Sequence, residues 1–201
     1  TSMGDTKVQR LSEDAYSAEP IYEDIAFDRG LTAHRPYTGD SSRPSTGWHA
    51  QFADINNDTW SDLYIAKGNV QAMPNFAAFD PDNLLLGTPS GRFEETGDAA
   101  GIAQDTRGRG AVIEDFNADG QLDLLVVNRE AQPGLFRNLG PVGASTATQR
   151  LGNFLRVELD NGAINPDAIG AMVSVKTGNR YQTQTVAIGG GHASGQLGFV
   201  H

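Results

Sequence analysis

Nine residues, Asp115-Phe116-Asn117-Ala118-Asp119-Gly120-Gln121-Leu122-Asp123, place oxygen-bearing side chains at the first, third, fifth and ninth positions of a short segment. Calcium is a hard ion that takes about six to eight oxygens at about 2.3–2.6 Å. Asp115, Asn117, Asp119 and Asp123, with the Gln121 carbonyl between them, can wrap such an ion. Gly120 at position six permits the positive φ of a sharp turn. Without a cation the crowded carboxylates repel one another. Asp54-Ile55-Asn56-Asn57-Asp58-Thr59-Trp60-Ser61-Asp62 repeats the arrangement, with Asp54, Asn56, Asp58 and Asp62 as side-chain ligands and Trp60 offering the carbonyl. Two calcium sites are therefore expected. The same residues also suit hydrogen-bonded Asx turns with solvated acids; recurrence of the whole pattern favours the ion.

Both loops must be held by strands rather than helices. An EF-hand needs a bidentate Glu at position twelve, where these loops carry Ile65 and Val126. Magnesium keeps several waters and rarely uses an all-protein cage, so it fits less well. The segments Leu63-Tyr64-Ile65-Ala66 and Leu124-Leu125-Val126-Val127 follow the loops, and Asn83-Leu84-Leu85-Leu86 and Gly134-Leu135-Phe136-Arg137 come next.

The loops belong to a longer internal repeat. Tyr22-Glu23-Asp24 with Gly30-Leu31 matches Phe93-Glu94-Glu95 with Gly101-Ile102, and Gly47, Ala50, Phe52 and Asp54 match Gly108, Ala111, Ile113 and Asp115. The first match is offset by 71 residues and the second by 61, so the earlier copy holds an insertion, placed in the polar stretch Arg35 to Ser45. A unit of this size with short strands between Gly and Asp turns reads as a β-propeller blade. Beyond it, Phe154–Leu159, Ala171–Lys176 and Thr183–Ile188 alternate apolar and polar residues, and Thr177-Gly178-Asn179-Arg180 suits a hairpin turn. The expected fold is all-β: two four-stranded blades of an incomplete propeller, then a small antiparallel β domain. The expected segments are a polar N-terminal stretch (1–20), the repeats (21–140), a Gly/Ser/Thr-rich linker (141–149) and the β domain (150–201).

Bulk properties agree with that reading. The 201 residues include 25 acidic and 15 basic ones, a formal charge of −10. That balance argues against a nucleic-acid partner, which needs a clustered basic face. No apolar run approaches the ~20 residues of a membrane span, so no membrane insertion is expected. The first twenty residues hold no apolar signal region, and a leader upstream or already removed stays open. There is no cysteine, hence no disulfide and no thiolate zinc site.

The loops resemble the FG-GAP/VCBS calcium repeats of integrin-type propellers and bacterial secreted proteins. Asn165-Pro166-Asp167-Ala168-Ile169-Gly170-Ala171-Met172-Val173-Ser174-Val175 resembles the start of an ASPIC/UnbV domain, as do Gln182-Thr183-Gln184 and Gly189-Gly190-Gly191. Together they look like the architecture of cartilage-acidic-protein-like chains. The resemblance implies an extracellular, cell-surface or periplasmic location, calcium binding, and an adhesive or scaffolding role. Two departures stand out. Thr59 replaces the glycine expected at position six, which predicts a weaker first site. The chain also ends at Gly198-Phe199-Val200-His201, where the family pattern continues, and two blades cannot close a propeller. A protein partner or other chains completing the blades are expected.

The alternative is a propeller part, non-catalytic or metal-assisted, of a larger secreted or biosynthetic enzyme. The residues offer it little. His34, His49, His192 and His201 lack metal-ligand spacing. Gly189 to Gly195 lacks the Lys-Ser/Thr ending of a phosphate loop, and Ser194 beside His192 lacks a Gly-x-Ser-x-Gly elbow. Trp48 and Trp60 could stack on a carbohydrate, although Trp48 at a strand start suits the core.

Overall fold

The computed structural model describes residues 6–13, 19–32, 46–68, 80–140, 152–162, 164–192, 194–195 and, for the backbone, 199–200. The insertion placed at Arg35 to Ser45 and the 141–149 linker lie outside the described residues, as do Gly198 and His201. The chain is all-β, and its strands form several small antiparallel sheets. The described residues close neither a barrel nor a propeller. Among them no helix is long and apolar enough to cross a membrane.

Strands β1 (Gln9–Leu11) and β2 (Tyr22–Asp24) pair as a hairpin, followed by one helical turn, α1 (Ala26–Arg29). A four-stranded sheet then runs in chain order: β3 (Gly47–Ala53), β4 (Asp62–Lys67), β5 (Asn83–Gly87) and β6 (Phe93–Glu95). The next sheet has three strands, β7 (Gly108–Glu114), β8 (Asp123–Asn128) and β9 (Gly134–Phe136). Three of the four strands expected for this unit are thus seen among the described residues. In the C-terminal part β10 (Val157–Glu158) pairs with β13 (Phe199–Val200), and β11 (Met172–Thr177) with β12 (Arg180–Thr185). The β11–β12 hairpin turns at Gly178-Asn179, where Gly178 has φ 63°. The alternating run Phe154–Leu159 yields only the two residues of β10, because a single short partner strand satisfies little of its backbone. The strand expected from Thr183 starts three residues earlier, at Arg180, and stops at Thr185.

β4 explains how the sheets stack. All six of its residues are buried, which period-two alternation allows only if both faces are covered. Leu63 and Ile65 face a cluster with Ala26, Leu31 and Leu85, while Tyr64 and Ala66 face Ala111, Ile113, Leu122 and Val126 of the next sheet. Each large side chain so buried contributes about 1.5–3 kcal/mol. The four-stranded sheet therefore lies between the β1–β2–α1 unit and the β7–β9 sheet.

The repeat is finer in the backbone than in the residues. Ile25 N–H bonds Val8 O as Thr96 N–H bonds Leu84 O; Ser12 N–H bonds Ile21 O as Thr88 N–H bonds Arg92 O. Leu31 N–H to Ala26 O recurs as Ile102 N–H to Gly97 O. β2 is thus to β1 what β6 is to β5, the outer strand of a unit rather than the start of one. The register also slips at the same place in two units, between Gly47 and His49 and between Gly108 and Gly110. A Cβ on Gly108 would come 2.7 Å from Asp82 Oδ1 and 2.8 Å from Lys67 O, so a side chain there would push the two sheets apart.

Candidate functional site: two aspartate loops under the C-terminal hairpin

Each loop spans a β-hairpin, between β3 and β4 or β7 and β8, and both close on the same backbone bonds. Asp58 N–H donates to Asp54 Oδ1 (2.9 Å) and Asn56 Oδ1 (3.1 Å), Thr59 N–H to Asp54 Oδ2 (2.8 Å), and Trp60 N–H to Asp58 Oδ1 (2.8 Å). In the second loop Asp119 N–H donates to Asp115 Oδ1 (3.1 Å) and Asn117 Oδ1 (2.9 Å), Gly120 N–H to Asp115 Oδ2 (2.9 Å), and Gln121 N–H to Asp119 Oδ1 (3.1 Å). The ninth residue ties each loop to the third strand: Asp62 accepts Gly87 N–H, and Asp123 accepts Asn138 N–H, both at 2.8 Å. Asp62 accepts Ile55 N–H as well (2.8 Å). In each loop the first, third and fifth of the expected ligand residues share the loop's backbone donors, while the ninth turns toward the third strand.

Their side-chain oxygens are turned onto the loop's own donors. Among the described residues, no group of three or more His, Asp or Glu side chains is arranged to hold a metal ion as it stands. A carboxylate oxygen has two lone pairs, so Asp54 Oδ1, which accepts only Asp58 N–H, can take a further partner, whereas Asp54 Oδ2 and Asp119 Oδ2 each already accept two bonds.

Position six behaves as the spacing predicts. Thr59 sits at φ 73°, close to Gly120 at 82°. A β-branched residue there is an outlier that costs on the order of 1–3 kcal/mol. Position four is also left-handed, which sequence reasoning missed: Asn57 has φ 55° and Ala118 φ 59°. Asn tolerates that region and Ala does not, so each loop carries one strained residue.

The surroundings differ more than the loops. Among the described residues no basic side chain is in ion-pair distance of Asp54, Asp58 or Asp62, whereas Arg137 Nη2 lies 3.0 Å from Asp119 Oδ2. Burial pushes the buried Asp62 carboxyl up to about 7, against its bonds from Gly87 and Ile55, and the charges of Asp58 and Asp54 add to the rise. Asp54 is also raised, first by burial. At Asp119, desolvation is outweighed by hydrogen bonds from Arg137, Asn117 and Gln121, so the carboxyl lies below its ordinary value.

The loops touch one another and the tail. Asn57 Nδ2 donates to Gly120 O (2.9 Å), and Asn138 Nδ2 to Ile55 O (3.0 Å). From β12, Gln182 Nε2 donates to Asp54 Oδ2 (2.9 Å) and Arg180 Nη2 to Thr59 O (2.9 Å), with its guanidinium 3.6 Å from the centre of the Trp60 ring. The Phe154 ring lies where a Cβ on Gly120 would fall. A cavity of about 360 Å³ remains between the first loop and the hairpin, lined by Asp54, Asn57, Thr59, Phe154, Val173 and Gln182 among others.

Each tryptophan has an arginine over its ring. Arg180 covers Trp60, and Trp48 stacks against Arg109 (4.4 Å) and His192 (5.1 Å). Ser194 does not pair with the imidazole of His192; its Oγ lies 2.7 Å from His49 Nδ1 and accepts Ala111 N–H at 3.2 Å. His49 is 2% exposed, and burial lowers its pKa. The arrangement fastens the tail to the two inner strands.

No family model matches the chain. No curated protein matches it either. The resemblance to calcium repeats therefore rests on the loop residues alone.

Proposed function

We propose that the chain is a calcium-binding interaction module of an extracytoplasmic protein, built from propeller-type blade units. One observation carries the reading. The first loop gathers three carboxylates, Asp54, Asp58 and Asp62, with no basic partner among the described residues, and their mutual repulsion adds to the raised pKa of Asp62. A divalent ion relieves that repulsion. Asp54, Asn56, Asp58, Asp62 and the Trp60 carbonyl would hold one ion; Asp115, Asn117, Asp119, Asp123 and the Gln121 carbonyl would hold the other. Bound ions would neutralise the loops and brace the hairpins against each other through Asn57 and Asn138, a structural rather than a chemical contribution.

The stacking of three units that share one backbone frame supports the blade reading. The adhesive or scaffolding role follows from the resemblance. Isothermal titration with calcium after EGTA treatment tests the proposal. Two binding events are expected; no heat and no change in melting temperature up to millimolar calcium would refute it.

A further inference from the structure

Two of the three repeat units end in an outer strand of one pattern, an aromatic residue followed by two acids: Tyr22-Glu23-Asp24 on β1 and Phe93-Glu94-Glu95 on β5. In the third unit the described residues stop at β9, and no strand among them lies outside it. We infer that this edge binds an extended polypeptide strand of a partner protein, carrying an aromatic residue followed by two acidic ones, added antiparallel to Phe136–Asn138.

The register shows what the edge would recognise. Leu124 faces Phe136 across β8–β9 as Leu63 faces Leu85 across β4–β5, so Arg137 holds the place of Leu86 and, in the first unit, of Arg10. Arg10 is paired with the middle acid of its outer strand, Nη2 to Glu23 Oε2 at 3.2 Å. Arg137 sits where it can do the same. Its side chain is 65% exposed while it holds Asp119, and a guanidinium has five donors.

The aromatic residue also has a seat. Phe93 packs against the cluster containing Leu31, Leu63 and Leu85. The counterparts of those residues are Ile102, Leu124 and Phe136, and all three line a cavity of about 690 Å³ beside the β9 edge. Leu135 and Leu139, 68% and 80% exposed, lie on the same edge. The main chain completes the match. Leu84 O accepts Thr96 N–H and Thr88 N–H donates to Arg92 O, so Leu135 O and Leu139 N–H are the corresponding groups offered to an incoming strand. Such strand addition takes affinity from backbone bonds and specificity from the side-chain seats.

The inference rests on the interaction-module reading and not on the ion. A synthetic peptide with the sequence of residues 92–97 (Arg-Phe-Glu-Glu-Thr-Gly) is the probe, titrated by fluorescence polarisation against the whole chain, once in EGTA and once in calcium. Saturable binding is expected in both. Peptide binding by a chain that gives no calcium heat in a separate calorimetric titration would refute the ion reading alone. Replacing the peptide's Phe by Ala, or methylating its Thr nitrogen, should abolish binding. The Arg137→Glu chain should bind about tenfold more weakly, and a peptide with its first Glu changed to Arg should restore it. If Arg137→Glu fails to fold, the Phe and N-methyl peptides still decide the matter on the unaltered chain. No binding of the parent peptide, or binding indifferent to charge reversal and N-methylation, would overturn the inference.

Discussion

The loop between β3 and β4 and the loop between β7 and β8 share a backbone and differ in what surrounds it. In the first, burial and neighbouring carboxylates raise Asp54 and Asp62; in the second, Arg137 already answers Asp119. The strand that follows carries the same contrast. At the end of β4, Lys67 Nζ pairs with Asp80 Oδ2 at 2.9 Å, both side chains buried, while Asp82 takes Tyr64 OH at 2.6 Å and Lys67 N–H at 2.7 Å. At the matching place in β8, Asn128 accepts Thr106 Oγ1 (2.9 Å) and donates to Gln132 O (3.0 Å), with no charge at all. A repeated frame therefore fixes where polar groups sit but not how their charge is balanced. The β3–β6 unit stores unbalanced charge; the β7–β9 unit avoids it with an arginine and a neutral amide.

The largest expected difference lies at the ninth loop position. Asp62→Ala strands two N–H donors, the buried one of Gly87 and the part-buried one of Ile55, and Asp123→Ala strands the part-buried one of Asn138. At about 1–3 kcal/mol for each unsatisfied group, Asp62→Ala should cost about 2–6 kcal/mol and Asp123→Ala about half as much. Urea denaturation of both variants, in EGTA, measures the gap, and equal losses would break the comparison.

Next comes a pH effect confined to the β3–β6 unit. Burial raises the Asp82 carboxyl to about 6, against its bonds from Tyr64 and Lys67. An acid whose folded pKa exceeds its unfolded value of about 3.9 gives stability that is full below pH ~4 and lost as pH rises through ~6. Two pKa units correspond to about 3 kcal/mol. Asp82→Asn should remove that slope between pH 4 and 7, whereas Asn128→Asp should introduce one; denaturation across this range reads both.

A smaller effect is expected at position six. Thr59→Gly should stabilise the apo chain by about 1 kcal/mol by relieving the strained φ. Gly120→Ala should destabilise it by about 1–3 kcal/mol through the same strain, and further through the contact with Phe154. Thermal melts in EGTA suffice. The smallest effect is the removal of Arg137, a competitor for Asp119. Arg137→Ala should tighten calcium at the second loop by a few-fold, in keeping with an exposed ion pair worth about 0.2–1 kcal/mol. This competitor, with the strain at Ala118, offsets the advantage that Gly120 alone would give the second loop.

Much of this was readable in the chain because it is local. Asp, Asn, Asp and Asp at fixed spacing specify the turn bonds, and the left-handed Thr59 follows from its place in the frame. Apolar runs after the loops located β4 and β8, and period-two patterning β11, to within a residue or two of their ends. The outer strand Tyr22–Asp24 was found as a repeat but assigned to the wrong end of its unit, since a repeat has a length and no origin. Arg137, Arg180 and Gln182 escaped because their contacts depend on packing between segments; Gln182 meets Asp54 across 128 positions of sequence. The alignment of Arg137 with Arg10 was the one signal available for the first of them. Nor could alternation reveal how little of Phe154–Leu159 finds a partner, since a strand's length is set by its neighbour.

The central claim is that the loops bind calcium, and calorimetric titration of Asp58→Ala and Asp119→Ala variants against the unaltered chain tests it most directly. Each variant removes a carboxylate from one loop and leaves the other intact. Two sites in the parent and one in each variant are expected, with the chain's melting temperature rising as calcium exceeds the dissociation constant, by about 2.7 kcal/mol of stabilisation at a hundredfold excess. Identical calcium heats in all three proteins, or none in the parent, would contradict the account.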